Sequence, residues 1–222
     1  MENRQVLKDI RKNGKTNDWQ EKKKGNLKYF SLLEELKYKK AERVQLCSEV
    51  LQFEKAEEGL KLRQAWFCKS RLCPICNWRK SLKHSNQVIQ IVNEAVKRNP
   101  KGRFLFWTLT TKNVFTGKEL NEEITKLSKA FNRLMDYKKI QKNMLGYLKA
   151  TEVTVNQKDG SYNQHLHVLV FVKANYFSGK EDNYISQSDL TEFWKKALKI
   201  DYTPIVNIKA VKPKATEKEK GV

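Results

Sequence analysis

The chain has 222 residues, enough for one substantial domain with a smaller appendage, and its 45 Lys and Arg against 25 Asp and Glu leave a formal net charge of +20. Such an excess suits a protein that neutralises phosphates, so nucleic acid is the first partner to consider. No apolar run approaches the roughly 18 residues of a spanning helix, and the polar start MENRQVLKDIRKNGKTNDWQEKKKGN has no signal-peptide core, which argues against a membrane partner and against export and makes the cytoplasm the expected location.

In chain order, residues 1–26 are charged and lack apolar periodicity, and read as a flexible basic arm. A helical, cysteine-bearing module is expected over 27–100. Phe30, Leu33 and Leu36, then Val44, Leu46 and Val50, fall near helical spacing, and Leu82, Val88, Ile89, Val92, Ala95 and Val96 keep that period until Asn99-Pro100 stops it. The remaining residues, 101–222, form the main domain. RFLFWTLT, Arg103 to Thr110, is short, aromatic and β-rich and predicts a strand. Ile124, Leu127, Phe131, Leu134 and Met135 predict an amphipathic helix. Two alternating runs, Tyr147 to Asn156 and Gln164 to Lys173, flank QKDGSYN, whose Asp159-Gly160 pair suits a two-residue hairpin turn. Ser188 is placed to cap a helix with Leu190, Phe193, Trp194, Ala197 and Leu198 on its buried face, and Pro204 opens a last strand, IVNIKAV. The order βαββαβ predicts an α+β fold: a ferredoxin-like antiparallel sheet with both helices on one face, preceded by the helical cysteine module.

Cys68, Cys73 and Cys76 form C-x4-C-x2-C, with Cys47 or else His84 as a fourth ligand, a set suited to a structural, tetrahedral Zn2+. Without an export signal, metal ligands or reduced thiols are favoured over disulfides. Arg71, Arg79, Lys80 and Lys83 surround this knuckle with Trp78 among them, a composition suited to DNA backbone contact and base stacking, although Trp78 and Trp66 equally suit a small core.

His165 and His167 in QHLHVLV are two of only three histidines, and their i, i+2 spacing on a strand sends both imidazoles to one face. With Asp159 and Gly160 as the central turn residues, Glu152 falls opposite His167 and Thr154 opposite His165, while Val153, Val155, Leu166, Val168 and Val170 share the core face. Two imidazoles and a carboxylate suit a divalent ion such as Mg2+ or Mn2+ with positions left for phosphate oxygens. Thr108 and Thr110 are placed to line the same open face and touch DNA, and Asn113 and Gln164 to orient a bound water or phosphate.

QHLHVLV, preceded by FLFWTLTTKN and ATEVTVNQKDGSYN, resembles the replication initiators of small rolling-circle plasmids from Gram-positive bacteria, which belong to the His-hydrophobic-His endonucleases. AERVQLC, WFCKSRLCPICNWRK and FWKKALKIDYTPIV extend the resemblance from about Trp19 to Pro213. It implies binding at the double-strand origin and metal-dependent nicking of one strand by a tyrosine. A 5′-phosphotyrosyl intermediate then leaves a 3′-hydroxyl for synthesis, with host helicase and polymerase as further partners. Carried onto this chain, the metal pair is His165 and His167. In that family the nucleophilic tyrosine follows the last strand, whereas no tyrosine follows Val211 here. The expectation is therefore a main domain truncated before the tyrosine helix, which binds metal and DNA without efficient covalent cleavage. A relaxase or transposase of the same superfamily, or a non-catalytic origin-binding regulator, are the alternatives.

Overall fold

Two units divide the chain, Met1–Asn93 and Glu94–Val222, and each is described by itself. The computed structural model describes residues 9, 10, 14, 16–57, 59–178 and 183–211. Much of the expected basic arm, and the C-terminal stretch 212–222, lie outside them.

In the first unit, α1 (Trp19–Glu35) starts where the Asp18 side chain accepts the Glu21 N–H at 2.9 Å. The helix thus begins inside the stretch expected to be an arm. Contacts distant in sequence hold it there: Trp19 stacks edge-on against Trp78, centroids 5.1 Å apart, and its indole N–H donates to Asp9 Oδ2 at 2.8 Å. After α2 (Ala41–Gln45) the chain forms an antiparallel hairpin, β1 (Leu51–Ala56) and β2 (Gly59–Ala65), before α3 (Pro74–Arg98). The helical, cysteine-bearing module thus also contains a hairpin that its sequence does not announce. Only Leu51, Phe53, Leu60 and Leu62 carry the alternation, and the charged residues around them hide it. A small core of Leu33, Ala41, Val44, Cys47, Cys73 and Ile75 holds the unit together.

The second unit runs β3 (Arg103–Thr110), α4 (Gly117–Met135), α5 (Lys138–Asn143), β4 (Met144–Val155), β5 (Tyr162–Val172), α6 (Gln187–Leu198) and β6 (Val206–Ala210). The sheet order is β4-β5-β3-β6 with antiparallel neighbours throughout, the order of a ferredoxin-like sheet. Alternation in β3 and β5 sends Leu105, Trp107, Leu109, Leu166, Val168 and Val170 into one core with Leu127, Phe131 and Leu134 of α4 and Leu190, Trp194 and Leu198 of α6. Both long helices therefore cover one face. Each starts in a capping box, Thr116 with Glu119 and Ser186 with Asp189. Ser186 thus takes the capping role expected of Ser188.

The β4–β5 hairpin departs from the expected register. Asn156 N–H donates to Ser161 O at 2.8 Å, and Val155 pairs with Tyr162, so four residues, 157–160, make the loop rather than two. Asn156 Oδ1 accepts the Lys158 N–H at 3.0 Å and starts the turn early, and Gly160 closes it at φ +71°, a left-handed conformation that glycine adopts without strain. Glu152 then faces His165, Thr154 faces Asn163, and Ala150 faces His167. The shift is two residues, so every side chain keeps its expected face. Val153 and Val155, expected in the core, are 39% and 50% exposed because β4 extends past the covering helices.

Candidate functional site

On the sheet face opposite the helices, three side chains converge. Glu152 Oε2 lies 2.8 Å from His167 Nε2 and 3.3 Å from His165 Nε2, and the two Nε2 atoms are 3.1 Å apart. Ligands at about 2.1 Å in adjacent octahedral positions subtend about 3.0 Å, so the triangle matches three neighbouring positions around one small cation. Three positions would stay open on the solvent side. The hydrogen bond from His167 holds the Glu152 carboxyl below the usual carboxylate range, which keeps it in its ligating form.

The far nitrogens are also held. His165 Nδ1 lies 3.3 Å from Asn163 Oδ1 and His167 Nδ1 lies 3.4 Å from Thr108 Oγ1. When an ion replaces the proton between His167 Nε2 and Glu152, an Nδ1–H donated to these oxygens would leave each Nε2 lone pair facing the triangle, the orientation that a metal-ligating imidazole needs. Phe106 stacks on the His167 ring, centroids 5.2 Å apart and planes 28° from parallel. Thr108 thus belongs beside the histidine, whereas Thr110 spends its hydroxyl on Ile205 O at 2.8 Å. Asn163 and Phe106 were missed by sequence reasoning. The signal for Asn163 was its place two residues before His165 on the same strand face.

Gln164 is corrected. Strand alternation puts it on the helix side, fully buried, where its amide donates to Thr111 Oγ1 and Lys112 O at 2.8 and 2.7 Å. Asn113 donates to Ser161 Oγ at 2.9 Å and so braces the hairpin loop. Among the described residues no tyrosine has a hydrogen bond or ring contact with the triad; Tyr202 instead accepts the Lys112 N–H at 3.2 Å.

In the first unit the sulfurs of Cys47, Cys68, Cys73 and Cys76 lie within 4.8 Å of one another. Cys76 Sγ is 3.6 Å from Cys47 Sγ and 3.7 Å from Cys68 Sγ. Tetrahedral zinc at about 2.3 Å from each sulfur separates sulfurs by about 3.8 Å, so the set fits that ion. Cys47, delivered by the end of α2, completes the cluster, and His84 on α3 is not part of it. Backbone N–H groups of Cys68, Ser70 and Cys76 point at sulfurs at 3.4 to 3.5 Å and favour thiolate character. Hydrogen bonding from Cys73 brings the Cys47 thiol down to about 5, while burial pushes Cys76 up to about 11.

Arg71, Arg79, Lys80 and Lys83 all line one groove beside this cluster, joined by Lys69 and Phe67, with no carboxylate along it among the described residues. The Arg79 guanidinium carbon sits over the Phe67 ring, 3.6 Å from its centroid, a cation–π contact that holds the side chain. Trp78 packs on Trp19 instead of lying free, and Trp66 is 57% exposed.

The family model described as replication protein matches residues 59–221. The chain is 52% identical over 217 residues to a protein named Protein rep from Lactiplantibacillus plantarum, covering 98% of this chain and 67% of that one. It is 49% identical to a Protein rep of Lentilactobacillus hilgardii, covering 98% of this chain and 68% of the relative. It is likewise 49% identical to a Protein rep of Streptococcus pneumoniae serotype 2, covering 93% and 65%. The chain thus spans about two thirds of the length of these relatives. No solved structure matches it. With the family model covering most of the chain and such relatives along nearly all of it, the chain belongs to the replication-protein family, in agreement with the resemblance of its motifs to plasmid replication initiators.

Proposed function

We propose that the chain is the origin-engaging part of a plasmid rolling-circle replication initiator. It would bind the double-strand origin and hold one DNA strand on the open sheet face. The observation that carries this reading is the convergence of Glu152 Oε2, His165 Nε2 and His167 Nε2 within 2.8 to 3.3 Å on the uncovered face of a replication-family sheet. A divalent cation such as Mg2+ or Mn2+, when bound there, supplies Lewis-acid polarisation of a phosphodiester. Asn163 and Thr108 keep the imidazoles turned for that role, and Glu152 supplies the negative charge.

The cysteine cluster is read as a structural Zn2+ site, since four protein ligands leave no place for substrate. The groove of Arg71, Arg79, Lys80 and Lys83 is read as a contact to the DNA backbone. Among the described residues no tyrosine contacts Glu152, His165 or His167, and Tyr202 is engaged with Lys112, so these residues are read as binding and activating the phosphodiester without attacking it. Host helicase and polymerase as further partners of the initiator at the origin, and a cytoplasmic site of action, complete the proposal. Among the described residues no helix is long and apolar enough to cross a membrane.

Titration of the purified chain with Mn2+, followed by calorimetry and electron paramagnetic resonance, tests the centre. One ion per chain is expected for wild type, and none for His167→Ala at the same concentrations. Equal binding by both proteins would remove the metal reading. Incubation with single-stranded origin DNA and Mn2+ is expected to give no covalent adduct on a denaturing gel, and a stable adduct would restore a nucleophile to this chain.

A further inference from the structure

The strand register carries the site one step further, onto β6. Directly opposed residues of antiparallel strands share a face, so one rung across the sheet reads Asn207, Thr108, His167, Ala150 and the next reads Lys209, Phe106, Leu169, Leu148. Asn207 and Lys209 therefore stand on the triad's face, two strands from β5. With strands about 4.8 Å apart that is roughly 10 Å. Along the paired positions of this face Glu152 is the one carboxylate. Lys209 is exposed, and among the described residues neither side chain makes a hydrogen bond or ion pair. Between β6 and the histidines lies Phe106, 36% exposed and stacked on His167. A ring that is part-exposed on a sheet face, next to a cation, is what a nucleobase stacks on.

We propose that Phe106, Asn207 and Lys209 form a nucleotide subsite for single-stranded DNA beside the triad. Phe106 takes the base adjoining the phosphodiester held at Glu152, His165 and His167. Lys209 pairs with the next phosphate across the sheet, and the Asn207 amide donates to the same group. The strand thus crosses the sheet from β5 over β3 to β6. The inference rests on reading the open face as the DNA site, and it adds which residues hold the neighbouring nucleotide.

The test uses the full chain with Mn2+ and a set of labelled single-stranded oligonucleotides tiling the plasmid that encodes it. On the best-bound oligonucleotide, Lys209→Ala is expected to weaken binding about tenfold and to flatten the salt dependence by about 0.7 in log–log slope, with Lys209→Arg restoring both. Phe106→Leu is expected to weaken binding about tenfold and Phe106→Trp to restore it. Lys209→Ala should leave Mn2+ affinity without DNA unchanged. Wild-type affinity and slope in Lys209→Ala, or wild-type affinity in Phe106→Leu, would overturn the subsite. If the unaltered chain binds no member of the set, the reading of the face as a DNA site falls instead.

Discussion

Glu152 illustrates what a single residue position reveals. A turn placed two residues late still put it on the face of His165 and His167, because side chains alternate with period two and an even shift preserves the face. What the sequence hid was its nearest partner. It sits opposite His165 but approaches His167 more closely, 2.8 against 3.3 Å, a diagonal contact that side-chain rotamers decide. Its depressed carboxyl stays ionised at pH values where an ordinary glutamate, near about 4.3, is half protonated. Glu152→Gln, which removes the one negative charge of the triad, should cost more than tenfold in Mn2+ affinity at neutral pH, measured by calorimetry. Thr108→Val, which removes only the oxygen beside His167 Nδ1, is expected to cost about tenfold while leaving the fold intact. The core offers a contrast between two tryptophans. Trp194 donates to Thr110 O at 2.8 Å, whereas the buried Trp107 indole N–H has no partner among the described residues. Trp194→Phe should therefore lose about 1 kcal/mol more stability than Trp107→Phe in urea titrations.

At the scale of elements, those with a strong period were readable. β3 begins and ends at Arg103 and Thr110 as its composition indicates, and α4 shows its three- and four-residue apolar steps. The β1–β2 hairpin was not readable, since four apolar residues among charges give neither period enough support. The cap of α6 was misplaced by two residues because SQSD offers two serines, and the capping box with Asp189 decides for Ser186. Hydrogen bonds from the Ser186 backbone hold the Asp189 carboxyl below its usual range. A carboxyl depressed in the folded state stabilises fully above its unfolded value, near about 3.9, and that stabilisation is lost as pH falls through the folded value. The stability gap between wild type and Asp189→Asn should therefore be open at neutral pH and close on acidification below pH 4 or so, followed by thermal unfolding. Ser186→Ala should cost about 1 kcal/mol at neutral pH.

For the whole molecule, the charge of +20 sets the tone of every encounter with DNA. Binding to duplex DNA should weaken steeply with salt, and Arg79→Ala with Lys83→Ala should reduce the log–log slope by about two. The proposed zinc ties together segments that are far apart in sequence, from Cys47 to Cys76, within a unit of small core. Chelation of the metal should therefore abolish the ordered environment of Trp78, seen by near-ultraviolet circular dichroism, while the second unit keeps its own melting transition. The sheet order carries a consequence for how the proposed ion is gripped. β5 is flanked on both sides, by β4 and β3, whereas β4 is an edge strand. The two imidazoles are thus anchored on an interior strand of the sheet and the carboxylate on an edge strand. Amide exchange should be slower at His165 and His167 than around Glu152, and ions of different radius should be accommodated by movement of β4 rather than of the histidines.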